Sequence, residues 1–198
     1  LDRLIFSAFC AIAGLFAAAP ALAASAMPVG GVTSQPIGHF EFCELHHRDC
    51  APHNASTIAA RVTSYGWKTV VAINSTVNAA IEPMTDEELY GREEVWAYPD
   101  SGAGDCEDFV LEKRRRLMKA GFSASDLLIT VVRKPNGEGH AVLTLRTNDG
   151  DFVLDNLNDD VLAWSDTPYT FLKRQASFDS GRWVKVETGT DLPVASLR

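Results

Sequence analysis

Basic residues are scarce: 18 lysines and arginines stand against 26 acids, a formal net charge of −8 at pH 7. That balance repels phosphate backbones and anionic headgroups, and it argues against nucleic acid or acidic lipid as a partner. Beyond the first two dozen residues no hydrophobic stretch approaches the ~20 residues that cross a bilayer, so no retained membrane span is expected. The chain has no internal repeat and no low-complexity tract. It has four cysteines, and one of those, Cys10, lies in the apolar opening segment as ordinary filling.

That opening segment reads as an export signal. Arg3 precedes an apolar run over residues 4–19, and Ala21-Leu22-Ala23 supplies the small residues of a cleavage site, which predicts a signal peptide over 1–23 and a periplasmic product. Residues 24–38 are small and polar, with Pro28, Gly30 and Gly31, and read as a flexible lead-in. One domain follows over 39–188, with a tail over 189–198. In an oxidising compartment Cys43 and Cys50, in a loop-like stretch, are expected as a local disulfide. A metal site of Cys43, His46, His47 and Cys50 is the alternative, although its spacing fits no common zinc pattern. Cys106 is then the unpaired thiol.

The periodicity changes along the domain. Helical character runs over 57–80, with a split near Gly66 or Lys68, and again from Cys106 to Ala120, where Gly121 is a suitable stop. Lys113-Arg114-Arg115-Arg116 on the second helix reads as a solvated face, or a docking patch for an acidic partner. Strands are expected at 127–133, 140–145, 151–155, 169–172 and 183–186, with turns at Pro135-Asn136-Gly137 and Asn148-Asp149-Gly150. A helical front half followed by an antiparallel sheet is an α+β domain.

Gly104-Asp105-Cys106-Glu107-Asp108, Gly139-His140-Ala141 and Leu154-Asp155-Asn156 place a cysteine at the start of a helix, a histidine on one strand and an aspartate on the next. Each residue alone would be ordinary. Together and in this order they have the make-up of nucleophile, base and orienter. A helix N-terminus stabilises a thiolate, whereas Asp105, Glu107 and Asp108 raise the thiol pKa by repulsion. A hard divalent cation on these three acids would cancel that penalty, and calcium suits flexible carboxylates; solvated capping acids are the alternative. For His140 and Asp155 to share one face, their strands must be joined by a two- or four-residue loop. Trp96, Tyr98 and Asn74 are upstream candidates to complete an oxyanion hole.

These motifs, with Asn74, Asn78, the stretch from Pro83-Met84-Thr85-Asp86 to Gly91, Trp96 and Pro99, resemble the bacterial transglutaminase-like cysteine peptidases. The match spans about Phe40 to Val186. The resemblance implies a papain-like, transglutaminase-type α+β fold, with a helical N-terminal half whose nucleophile helix packs on an antiparallel sheet. Cys106, His140 and Asp155 fall at the catalytic positions. It implies a Ca2+ cofactor with Asp105 and Glu107 as ligands, Asp108 being added from local charge. It also implies a protein substrate, such as a large surface adhesin, and an inner-membrane regulatory receptor. The 83–90 and 171–175 stretches look more like a shorter branch of the family. A transglutaminase or other acyltransferase with the same triad, and a non-catalytic periplasmic binding module, are the competing functions.

Overall fold

The structure, a computed structural model, describes residues 25–53 and 58–187. The expected signal peptide over 1–23 and the whole tail over 189–198 lie outside the described residues. In chain order the elements are β1 (Val29–Thr33), α1 (Ile37–Leu45), α2 (Ser64–Ala80), β2 (Glu82–Pro83), α3 (Asp86–Tyr90), β3 (Ala103–Gly104) and α4 (Cys106–Lys119). Then follow β4 (Leu127–Arg133), β5 (Gly139–Thr147), β6 (Gly150–Leu154), β7 (Leu162–Ala163), β8 (Thr170–Ala176) and β9 (Asp179–Val186). The helices lead and an antiparallel sheet follows, an α+β arrangement as expected.

The sheet has seven strands in the order β1-β9-β8-β4-β5-β6-β7. Its central strand β4, Leu-Leu-Ile-Thr-Val-Val-Arg, is buried on both faces over its first six residues, which explains its unbroken apolar sequence. Leu127, Ile129 and Val131 join Ala141, Leu143, Leu145 and Leu154 in the main core, where Val110, Leu111 and Leu117 of α4 and Val70 of α2 pack on them. Val132, Val142, Val153, Phe171 and Val186 form a second cluster with Met27, flanked by Trp164 and Tyr169. Residues 25–27 and the segment around 164–169 therefore cover the face opposite the helices.

Three expectations about the front half are corrected. The lead-in is not loose throughout: Val29–Thr33 pairs with β9 as an edge strand, and Met27 is buried with its N–H on Asp151 Oδ2 at 2.9 Å. Helix α2 begins at Ser64, not near 57, because Thr63 caps it by accepting the Gly66 N–H; it runs unbroken through Gly66 and Lys68. The basic run is neither a solvated face nor a patch. Lys113 and Arg114 are buried, Arg114 donates to Leu127 O and Ser180 Oγ, and Arg115 and Arg116 share Glu112. Basic residues in such a run look alike in sequence; only the packing of α4 between α2 and the sheet distinguishes them.

Cys43 and Cys50 are joined as a disulfide, which removes the alternative metal site. It ties the end of α1 to the turn that follows. Gly38 on α1 is required for a close approach. A Cβ there would meet Glu94 O at 2.6 Å and Trp96 Nε1 at 2.8 Å. The loop that delivers the chain to α4 thus lies directly on α1.

Candidate active site

Helix α4 opens at Cys106 with Asp105 in the N-cap position, and Glu107 and Asp108 in its first turn. Asp105 does not cap the helix with its side chain; it turns toward neighbouring carboxylates instead. The helix packs against β5, and the Ala141 backbone N–H on that strand acts on the half-buried Cys106 thiol. The residue before Ala141 is His140, so the thiol lies against the strand that carries the imidazole.

The two-residue turn Asn148-Asp149 joins β5 to β6, with Thr147 opposite Gly150 and Leu143 opposite Leu154. That register puts His140 and Asp155 on one face a single diagonal step apart, which meets the even-loop condition. His140 Nε2 lies 2.9 Å from Asp155 Oδ1, and both residues are buried. Asp155 also accepts from the Leu157 N–H at 3.0 Å and from the Tyr169 hydroxyl at 2.5 Å. Burial pushes the Asp155 carboxyl up, but the hydrogen bonds from His140 and Tyr169 outweigh it and hold the group below the usual carboxylate range. An ionised carboxylate only accepts, so His140 Nε2 carries the proton of that bond. The Tyr169 ring also flanks the imidazole, with centroids 5.6 Å apart.

The Cys106 thiol donates to Glu107 Oε2 at 2.8 Å, and no hydrogen bond joins it to His140 among the described residues. The thiol is pushed well up by burial first, then by Glu107 and Asp105, with the Ala141 N–H opposing. Repulsion by the flanking acids is therefore present, though burial leads it.

The acids form a wider cluster than their sequence neighbourhood indicates. Asp86, Asp105 and Asp108 converge within 4.8 Å by their carboxylate oxygens, and Asp105, Cys106 and Glu107 form an overlapping group. Asp86 is the member of this cluster that sequence reasoning missed. It arrives because β2 pairs with β3, Glu82 opposite Ala103 and Pro83 opposite Gly104, and because Thr85 and Glu88 start α3 there with a capping box. Gly104 permits the approach, since a Cβ there would lie 2.7 Å from Asp108 Oδ2. Val95 N–H donates to Asp86 and Ala97 N–H to Asp108. One oxygen each of Asp86, Asp105 and Asp108 is buried with no partner among the described residues. Burial pushes Asp108 up to about 8, with Asp105 and Asp86 adding to it; Asp105 and Glu107 are raised mainly by burial. Unpaired oxygens on acids that repel one another fit a hard cation.

Tyr169 was also missed. Its only sequence signal is a tyrosine just after Pro168 at a strand entry. Of the oxyanion candidates, Asn74 donates to Asn158 O and Asp159 O, Tyr98 packs against Phe42, and Trp96 lies in the same core with its Nε1–H unpartnered among the described residues.

The family described as bacterial transglutaminase-like cysteine proteinase, BTLCP, matches residues 29–191. No curated protein matches the chain. Among solved structures, Legionella pneumophila LapG is 24% identical with a TM-score of 0.51, over 60% of this chain and 66% of that one. The chain therefore spans just under two thirds of that relative. The calcium-bound LapG is 22% identical over 64% of this chain and 74% of that one, with a TM-score of 0.51. The EGTA-treated form is 23% identical over 63% and 69%, with a TM-score of 0.52. At these identities the likeness is one of fold.

Proposed function

Because the chain belongs to the bacterial transglutaminase-like cysteine proteinases, we propose that it is an exported cysteine endopeptidase in which Cys106, His140 and Asp155 act as one catalytic unit. The reading rests on the 2.9 Å His140–Asp155 pair, held on the strand against which the Cys106 helix terminus packs. In this mechanism the thiol turns from Glu107 toward His140 Nδ1 and passes its proton there. The thiolate attacks the peptide carbonyl, and His140 gives the proton to the leaving amine as the C–N bond breaks, leaving a thioester. Water then attacks the thioester, losing a proton to His140, and the carboxylate product leaves as the thiol is restored. The Cys106 backbone N–H at the start of α4 points at the developing oxyanion.

Asp86, Asp105 and Asp108 would hold Ca2+, with Glu107 beside them. The ion would supply positive charge that offsets the carboxylates around the thiol and fixes the 91–105 loop. Supporting this are the three unpartnered buried oxygens and the likeness to a structure described as calcium-bound. Asp86→Asn should weaken calcium binding about as much as Asp108→Asn, by at least about tenfold on titration calorimetry; unchanged affinity for Asp86→Asn removes it from the set.

The product is periplasmic. The predicted leader, the disulfide and the lack of any membrane-crossing helix among the described residues agree with export. The substrate is an exported protein, a large surface adhesin being the class that the sequence resemblance suggests, and an inner-membrane receptor is the matching regulator. Comparison of exported and surface proteomes between wild type and Cys106→Ala tests this: a protein that stays longer in the variant is the substrate. Incorporation of a labelled amine into a candidate peptide without hydrolysis would instead make the enzyme an acyltransferase.

A further inference from the structure

Two asparagines near the end of α2 belong to neither the catalytic pair nor the acid cluster. Asn74 and Asn78 stand four residues apart on the helix, about one turn along and on the same face. Their neighbours Ser75 and Thr76 return their hydroxyls to Ala72 O of the same helix. The asparagines reach outward instead. Asn78 Nδ2 donates to Asp155 O at 2.9 Å and to Asp159 Oδ1 at 2.8 Å, and Asn74 Nδ2 donates to Asn158 O and Asp159 O, each at 3.0 Å. These acceptors are carbonyl and carboxylate oxygens, which only accept, so the orientation of both amides is fixed. Every side-chain amide hydrogen of the pair thus goes to the 155–159 loop that follows β6.

That loop is held by hydrogen bonds more than by burial. Residues 157–160 are exposed, and inside the loop the Leu157 N–H turns back to Asp155 Oδ1 and the Asp160 N–H to Asn158 Oδ1. Asp155 itself is buried, and its Oδ1 lies 2.9 Å from His140 Nε2. A carboxylate on a one-carbon stem points where its backbone directs it, and the Asp155 backbone carbonyl is the group that Asn78 holds. Asn74, 0% exposed, keeps its Oδ1 buried with no partner among the described residues. A leucine in its place would avoid that cost and suit a helix better, so stability alone does not call for asparagine.

We propose that Asn78 and Asn74 are positioning residues, which clamp the 155–159 loop to α2 and so hold the Asp155 carboxylate in line with His140. Asn78 acts on Asp155 directly, and Asn74 secures the far end of the loop. This rests on the reading of Asp155 as the residue that orients His140.

The test uses the whole chain as wild type, Asn78→Ala, Asn74→Ala, Asp159→Ala and Asp159→Asn, with Cys43→Ser plus Cys50→Ser as the control for stability lost elsewhere. Two readouts are followed: the His140 ring N–H proton by NMR, and alkylation of Cys106 by iodoacetamide at pH 6. In Asn78→Ala the ring proton shifts and exchanges faster with water, and alkylation slows about tenfold, a part of what loss of a general base costs. Asn74→Ala moves both readouts the same way. Asp159→Ala, at an exposed position, moves them less, and Asp159→Asn, which keeps an acceptor, brings them back toward wild type. A purely structural pair would lower the melting temperature and leave both readouts as in the control, and that result overturns the proposal. Should the asparagine variants not fold, the Asp159 variants decide, and readouts unmoved in Asp159→Ala overturn it. If the ring proton moves while alkylation and peptide cleavage stay at wild-type rates, the clamp holds Asp155 as stated and the catalytic assignment of Asp155 is what fails.

Discussion

Asp155 accepts hydrogen bonds from His140, Tyr169 and Leu157, and the side-chain donors can be removed one at a time. Tyr169→Phe deletes one bond to a charged acceptor, of about 1.5–3 kcal/mol. Its kcat on a peptide substrate should fall about tenfold or more with KM little changed, since the hydroxyl meets the orienter and not the substrate; an unaltered kcat would make Tyr169 simply a packed ring. At the other end of the core, burial lowers His39 to about 3 from 6.5. The unfolded chain binds that proton first, so stability is complete above about pH 6.5 and declines as pH falls toward 3, by about 1.4 kcal/mol per unit at the steepest. Urea titrations at pH 7 and pH 4 should show a smaller difference in His39→Gln than in the wild type. Cys106, His140 and Asp155 stand out in the sequence because each sits in a short run of distinctive residues, and the fold sets His140 beside Asp155. Tyr169 and Asp86 do not stand out, because their partners are distant in sequence, and a lysine in a basic run, such as Lys113, reads as solvated until the packing around it is known.

At the scale of elements, strand positions came through well because alternation and turn residues are local signals. The Asn148-Asp149 turn even fixed the register that joins β5 to β6. Weaker signals failed. β1 is Val-Gly-Gly-Val-Thr, a poor strand by composition, and it forms because β9 offers an open edge. The β2–β3 pairing is only two residues long, too short to be read from sequence, yet it brings Asp86 to the nucleophile helix. The 91–105 loop that spans this gap is seated by Gly38. Gly38→Ala should push Trp96 and Glu94 away and cost about 1–3 kcal/mol in thermal or urea unfolding. Calcium affinity should drop in the same variant, because Val95 and Ala97 donate to two of the acids from that loop. A variant with full stability and affinity would show that the loop relaxes freely.

For the whole molecule, the α+β class followed from the order of helical and alternating segments, whereas the two-faced burial of the sheet did not. The second face is closed by chain from both ends of the domain: Ser25 O accepts from Trp164 Nε1 and from the Asp151 N–H. The disulfide closes a short loop, with a separation of seven residues, so its loss should remove only about 2–3 kcal/mol. Cys43→Ser with Cys50→Ser should stay folded and melt several degrees lower; complete unfolding at room temperature would mean that α1 depends on the bridge far more than loop entropy predicts.

β1 is the first described strand in the chain and β9 the last, and they are neighbours, with Val29 opposite Val186. A polypeptide made amino end first must hold its leading strand unmatched until its trailing one emerges. Completion of this sheet edge is thereby timed to the end of synthesis, so the edge closes only when the last strand is free to pair.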